Sequence, residues 1–338
     1  MGEVMERIRL KLANINVEFV DREQALERVR EWAKRGMVNV QVIYGPEGCG
    51  KTAWLRQSVE LLKELGFDVI YLNPVEREFA IETEIKDVKE RLLEILREMT
   101  DESWARAVWA LIDLGQELIR ARRRKIAILA DDVFQAIGLD RAAIYVKGLL
   151  GILEYPPGDY DVAITIAATS EGLSRYEIGR HRWADLLAMW NMMREGFEQL
   201  YEQLPGNKPE FDEIWRLTGG NPKMLAELYQ SDWRADEVIR SVISEKMITK
   251  SFITKWRKWL EKAVEDPDIL WEPDTPEELI NELTEKNLII YFLPDRGTRL
   301  WVGESPPERD LELGIGKYVA WQTPIHRETI KYALKEYG

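Results

Sequence analysis

Gly45-Pro46-Glu47-Gly48-Cys49-Gly50-Lys51-Thr52 is the stretch from which this chain is read. Its spacing is G-x-x-x-x-G-K-T, the Walker A phosphate loop. Glycines at those positions let backbone N–H groups turn inward around phosphates. Lys51 can reach the β- and γ-phosphates of a nucleotide, and the Thr52 hydroxyl can ligate Mg²⁺. A helix starting near Lys51 would aim its positive end at the same anion. The flanks agree with this reading. Val40-Gln41-Val42-Ile43-Tyr44 reads as a strand entering the loop, and residues 52–65 read as a helix leaving it. The expected nucleotide-binding residues are therefore Gly45, Pro46, Glu47, Gly48, Cys49, Gly50, Lys51, Thr52 and Ala53.

Outward from the loop, short apolar runs alternate with helical spacing. Phe67-Asp68-Val69-Ile70-Tyr71-Leu72 reads as a second strand. Ile85, Val88, Leu92, Leu93, Ile95, Leu96 and Met99 recur at helical spacing, as do Trp104, Val108, Leu111, Ile112 and Leu118. Ile126-Ala127-Ile128-Leu129-Ala130 is a buried-strand run that ends at Asp131-Asp132. Residues 142–153 read as a helix and Val162-Ala163-Ile164-Thr165-Ile166-Ala167-Ala168 as another buried strand. This alternation implies a parallel sheet covered on both faces. Ligands of such sheets bind at the carboxyl ends of the strands. The phosphate loop, Asp131 and Thr169 all fall there.

The residues at those ends suggest chemistry. Asp131-Asp132 has the Walker B pattern: Asp131 would hold Mg²⁺ and Asp132 would orient the attacking water. Paired carboxylates also cap helices or sit solvated at strand ends; the phosphate loop upstream favours the catalytic reading. Thr169 and Ser170 could hydrogen-bond the γ-phosphate or the water, or cap the next turn. Arg180 and Arg182 could supply charge to the transferring phosphate, in cis or across a subunit contact, or be ordinary surface charges. Cys49 reads as a small packed side chain; the sharper reading is a thiol whose oxidation blocks the loop.

Beyond Trp183 the sequence reads as helical, with one long helix over 183–203, a break at Leu204-Pro205-Gly206-Asn207 and further helices over 211–264. The last part changes character. Thr275-Pro276 should open a helix over 277–285, with Thr at the N-cap and Pro at the first position. Leu288-Ile289-Ile290-Tyr291-Phe292 should pair with Arg299-Leu300-Trp301-Val302 across a turn at Pro294-Asp295-Arg296-Gly297. A further strand over 317–321 and a final helix over 324–337 follow. A helix followed by a hairpin is how a winged-helix domain reads. The expected divisions are 1–205 for the α/β core, 206–268 for a helical lid and 269–338 for the winged-helix-like domain.

Composition narrows the function classes. The 338 residues carry a net charge of −13, which repels nucleic acid unless positive charge is concentrated locally. The stretch Lys246, Lys250, Phe252, Lys255, Trp256, Arg257, Lys258, Trp259, Lys262 is one such concentration, read either as a nucleic-acid face or as a packed helix with solvated lysines. From Leu270 onward eight Lys and Arg face thirteen Asp and Glu, against the habit of an autonomous DNA binder. One cysteine gives no intrachain disulfide, and two distant histidines give no zinc-ligand cluster. No run is long and apolar enough to span a membrane, and the N-terminus has no signal-peptide core, so a cytoplasmic protein without membrane contact is expected.

Taken together these residues resemble the archaeal ATPases of the AAA+/STAND group, relatives of the Orc1/Cdc6 initiators. Phe19-Val20-Asp21-Arg22-Glu23 is similar to the N-terminal box of that group, which places Asp21 and Arg22 on the adenine side of the nucleotide. Thr169-Ser170 and Gly179-Arg180 look like its sensor 1 and Gly-Arg elements. Thr218-Gly219-Gly220-Asn221-Pro222-Lys223 is similar to its Gly-x-Pro lid motif, with Pro222 near the base and Lys223 where initiators carry a sensor 2 arginine. The resemblance implies an α/β P-loop NTPase core with a helical lid and a C-terminal winged-helix domain, using ATP and Mg²⁺. It implies an ATP-hydrolysing switch coupled to duplex DNA. The alternative is a protein-regulated signalling or scaffold ATPase of the STAND type with no direct DNA role; a protein partner or a homo-oligomer is the contact it would make.

Overall fold

The computed structural model describes residues 6–86, 104–170 and 174–337, and residues 90 and 94. It divides into two compact units, one built from residues 6–8, 23–44 and 51–187, the other from 9–22, 45–50 and 188–337. The helix expected over 85–99 lies largely outside the described residues. The chain opens with a hairpin of the second unit, β1 (Arg9–Leu12) and β2 (Ile15–Glu18). Ala13 and Asn14 turn it with φ of 49° and 66°, the left-handed pair that a two-residue hairpin needs.

The first unit runs α1 (Glu23–Arg35), β3 (Val40–Tyr44), α2 (Lys51–Glu64), β4 (Asp68–Asn73), β5 (Glu78–Glu82), α3 (Trp104–Arg120), β6 (Lys125–Asp131), α4 (Val133–Ile137), α5 (Leu139–Glu154), β7 (Val162–Thr169), α6 (Ser174–Gly179) and β8 (Ala184–Ala188). Its six-stranded sheet has the order β5-β4-β6-β7-β3-β8. β4, β6, β7 and β3 are mutually parallel, and β5 closes one edge antiparallel to β4. β3 is buried throughout and β6 and β7 nearly so, as expected of parallel strands covered on both faces. α3 buries Ala107, Val108, Leu111, Leu114, Leu118 and Ile119, a stripe at helical spacing. Gly115 lets that helix approach closely, since a Cβ there would stand 2.3 Å from the Ile128 side chain.

β8 corrects the sequence expectation of one helix over 183–203. The chain is a strand to Ala188, stays irregular to Met193, and only then forms α7 (Arg194–Glu202). Leu187, Ala188, Met189, Trp190 and Met192 are all buried. A short run that is apolar at nearly every position has no period to separate strand from helix, and pairing at the sheet edge decides it.

The second unit continues with α8 (Phe211–Thr218), α9 (Pro222–Gln230), α10 (Ala235–Glu245), α11 (Lys250–Ala263), α12 (Glu277–Glu285), β9 (Ile289–Tyr291), β10 (Val319–Trp321) and α13 (Pro324–Tyr337). The caps of α9 and α11 are legible in the sequence: Asn221 accepts from the Met224 N–H and Thr249 from the Phe252 N–H. α12 is not capped as expected. Pro276 takes the N-cap position and the Thr275 hydroxyl instead donates to the Ile269 carbonyl.

The hairpin expected over 288–302 is also corrected. β9 pairs antiparallel with β10, not with 299–302. Phe292 turns the chain out of the strand with φ 57°. Residues 298–300 form a 3₁₀ turn, and Trp301 bridges to Ala188. Burial explains the choice: Trp301 is fully covered, meets Trp190 edge-on at 6.4 Å, and its indole N–H donates to the Asp295 carbonyl. No described helix is long and apolar enough to cross a membrane.

Candidate nucleotide site

The parallel register brings the catalytic candidates of the first unit together. Tyr44, the last residue before the phosphate loop, lies opposite Thr169, and Asp131 lies opposite Ala168. The Asp132 N–H donates to the Ala168 carbonyl at 3.0 Å. Neighbouring strands stand about 4.8 Å apart. Asp131 and the entry to the loop are therefore two strand spacings, about 10 Å, from each other, with Thr169 between them. Lys51 and Thr52 begin α2, and the Lys51 side chain is buried.

Asp131 is buried at the end of β6. Its Oδ2 accepts from Tyr71 Oη at 3.1 Å and Asn73 Nδ2 at 2.9 Å. Its Oδ1 is buried and has no hydrogen-bond partner among the described residues. Burial, and next the charge of Asp132, push the carboxyl up to about 7; the polar side chains of Thr52, Tyr71 and Asn73 pull the other way. A buried carboxylate oxygen without a hydrogen bond is an arrangement that a cation relieves. The donor set fits Mg²⁺, which takes one or two carboxylates, a hydroxyl and phosphate oxygens. Among the described residues no cluster of three His, Cys, Asp or Glu could hold a metal by itself, so such a site needs the phosphates for completion.

Asp132 sits half-covered in the left-handed region, φ 47° and ψ 28°. It occupies the N-cap of α4 but makes no side-chain capping bond there; instead Ser170 Oγ donates to its Oδ1 at 3.4 Å. A non-glycine residue in that conformation marks a position under constraint. Arg180 is not drawn in: its side chain is 70% exposed and pairs with Glu177 at 3.4 Å. A different arginine, Arg175, places its guanidinium 4.6 Å from the centre of the Tyr44 ring. Sequence reasoning missed it, and also Tyr71 and Asn73, because no motif marks residues that touch a carboxylate from a neighbouring strand.

The loop itself belongs to the second unit up to Gly50. Gly48 and Gly50 have φ of 74° and 100°, open only to glycine at low cost. Arg22 is buried, with its guanidinium donating to the Cys49 carbonyl at 2.6 Å and the Trp190 carbonyl at 2.9 Å. Asp21 packs against Gly196, where a Cβ would stand 2.3 Å from it. Asp21 and Arg22 are both left-handed. Cys49 is buried and packs, with its Sγ 3.8 Å from the Met189 carbonyl. Pro222 is the first residue of α9, and the Lys223 N–H donates to the Gly48 carbonyl at 3.3 Å.

Glu47 is held by two ammonium groups. Its carboxylate accepts from Lys223 and from Lys246, each at 2.7 Å. Burial works against its charge, but the two ammonium groups prevail and hold its pKa down at about 2. Lys246 is thus not part of an open basic face. Lys255 is likewise paired, with Glu278 at 2.6 Å and Glu282 at 3.0 Å, and Arg257 with Glu261 at 2.8 Å. Arg296 turns its guanidinium inward to the carbonyls of Pro294, Pro307, Glu308 and Gly316.

Residues 19–228 match the sequence profile of a family described as an ATPase domain predominantly from Archaea. The chain belongs to that archaeal ATPase family. As a member of it, the chain is a P-loop ATPase that binds and hydrolyses ATP. Among solved structures this archaeal ATPase is similar to a Walker-type ATPase of Pyrococcus abyssi, at 15% identity over 93% of this chain and 96% of that one, TM-score 0.46. It is similar also to Cdc6p of Pyrobaculum aerophilum, at 15% identity over 93% and 94%, TM-score 0.40. A third is the Orc1 protein of Aeropyrum pernix in complex with DNA, at 16% identity over 94% and 93%, TM-score 0.38. No curated protein matches the chain.

Proposed function

We propose that this archaeal ATPase is a Mg²⁺-dependent switch. The observation that supports it most is the buried Oδ1 of Asp131, without a hydrogen bond among the described residues, at the end of β6 and beside the end of β7 that carries Thr169. In this reading the loop amides and Lys51 hold the phosphates, while Thr52 and Asp131 hold Mg²⁺. The bound ion would neutralise charge on the β- and γ-phosphates. Asp132 orients the attacking water, with Ser170 fixing its carboxylate, and the Thr169 hydroxyl contacts the γ-phosphate. Asp21, Arg22 and Pro222 shape the adenine side. Arg180, exposed beyond α6, suits a contact with a second molecule, whereas Arg175 suits one in cis. The test is ATP hydrolysis with and without Mg²⁺, with Lys51→Ala as control. Turnover in EDTA, or normal turnover in that variant, would refute the assignment.

The output of the switch has two readings. The first couples it to duplex DNA through the Lys246–Lys262 stretch and the segment around Arg296 and Arg299. The second couples it to a protein partner or to further copies of the chain. The ion pairs of Lys246, Lys255 and Arg257 and the inward-facing Arg296 weigh for the second, as does the excess of acid after Leu270. We place the protein-regulated switch first. Hydrolysis stimulated by duplex DNA at low salt, with binding that falls steeply as salt rises, would reverse that order.

A further inference from the structure

Glu47 is held at four points by residues far from it in sequence, and two of its partners, Gln322 and Asn221, close a ring through Asn191. Its N–H donates to Gln322 Oε1 at 2.8 Å. The Gln322 carbonyl accepts from Asn191 Nδ2 at 2.9 Å. Asn191 Oδ1 accepts from Asn221 Nδ2 at 2.8 Å, and that same amide donates back to the Glu47 carbonyl at 2.9 Å. Gln322, Asn191 and Asn221 are each at most 1% exposed. Such a buried polar circuit is stiff while complete and costly when broken. The Lys223 and Lys246 pairs fix the Glu47 side chain beside it.

The circuit has one loose end. Gln322 Nε2 is buried and has no hydrogen-bond partner among the described residues. The amide cannot turn over to satisfy it, because Oε1 is committed to the Glu47 N–H. A buried amide donor left over beside an anion-binding loop fits a phosphate oxygen, or a water carried by one.

We propose that Gln322 is a positioning residue of the phosphate loop, acting through Glu47, so that the C-terminal segment beginning at Gln322 is part of the nucleotide-binding apparatus. The inference rests on the reading that the loop binds nucleotide. It goes beyond that reading by assigning a role to a residue 275 positions away that no motif marks. Coupling of this kind is reciprocal: if Gln322 shapes the loop for nucleotide, nucleotide must stabilise the segment that holds Gln322. α13 starts two residues later, so its first turn is where that effect would be read.

The experiment uses the full chain and a non-hydrolysable ATP analogue with Mg²⁺. Amide hydrogen exchange over residues 322–337 is followed in the wild type and in Lys51→Ala, and analogue affinity and turnover are measured in Gln322→Met. Met is close to Gln in volume and lacks the amide. The expected result is slower exchange over 322–337 on adding the analogue, absent in Lys51→Ala. Gln322→Met should bind five- to tenfold more weakly, with kcat at saturation within twofold. A wild type that binds the analogue with no change in exchange over 322–337 overturns the inference, as does a Gln322→Met that binds within twofold of wild type. The exchange arm needs no substitution at 322, so it decides even if that variant fails to fold. A wild type that binds no nucleotide refutes the ATPase reading itself and is thereby told apart.

Discussion

His326 offers a clean test of the interior of the second unit. It lies in the first turn of α13, is 3% exposed, and its Nδ1 is 2.8 Å from Thr323 Oγ1. Burial, then the charge of Lys246, drive its pKa down from 6.5 to about 3; Glu47 opposes and Lys223 reinforces the shift. The folded protein therefore keeps the ring neutral while the unfolded chain protonates it near 6.5. A depressed pKa on a base contributes stability that is present above the unfolded value and is lost as pH falls toward the folded one. One proton taken up only on unfolding changes stability by about 1.4 kcal/mol per pH unit, so about 2 kcal/mol is lost between pH 7.5 and pH 5. Glu47, held at about 2, loses its own contribution only below the ordinary carboxylate range, outside this window. Asp131, pushed up to about 7, acts in the opposite sense between pH 7 and 4, so the wild-type slope alone is a net of two effects. The assay is therefore a difference. Urea unfolding of wild type and His326→Gln is compared at pH 5, 6 and 7.5. Gln cannot take up the proton, so the stability gap between the two proteins should shift in favour of the variant by about 2 kcal/mol on going to pH 5. Parallel pH profiles, within about 0.5 kcal/mol, would refute the assignment of a buried neutral histidine.

The other predictions concern the nucleotide site. Gly48→Ala should abolish ATP binding with the fold retained, because its φ is 74° and a Cβ would stand 2.2 Å from Lys223 Cβ; equilibrium binding together with circular dichroism checks this. Asp131→Asn should end hydrolysis yet raise the melting temperature of the nucleotide-free protein at pH 8, since the ionised carboxylate there costs up to about 4 kcal/mol; an unchanged or lower melting temperature would count against it. Arg175→Ala should lower kcat at least tenfold with little change in KM, whereas Arg180→Ala assayed at high dilution should stay within threefold of wild type. A reversal of that pair would return the arginine role to Arg180 acting within one chain.

Local chemistry explains which parts could be read from the sequence. The phosphate loop is a contiguous run whose spacing is its function, and β6 and β7 are apolar throughout because both their faces are covered. α13 begins with Pro324 and carries a helical stripe, so its bounds were plain. Elements decided by distant partners were not. Residues 187–192 become strand and irregular chain because an edge of the sheet was available, and 299–302 leave their expected hairpin because Trp301 found Ala188 and Trp190. At the site the residues with motif chemistry, Lys51, Thr52, Asp131 and Asp132, were visible. Tyr71, Asn73, Gln322 and Lys246 were not, since each is an ordinary polar side chain whose meaning comes only from what the fold sets beside it.

Arg296 shows how an irregular segment can be ordered without a sheet. Four carbonyls, from Pro294 to Gly316, converge on one half-buried guanidinium. Arg donates in a rigid planar fork that Lys cannot imitate. Arg296 therefore ties residues 294, 307, 308 and 316 together, beside the separate anchors of Trp301 at Ala188 and of Asp310 at Ile315. An Arg296→Lys exchange, conservative in charge, removes that tie and leaves the other anchors in place, so proteolysis of the segment should be faster than in the wild type.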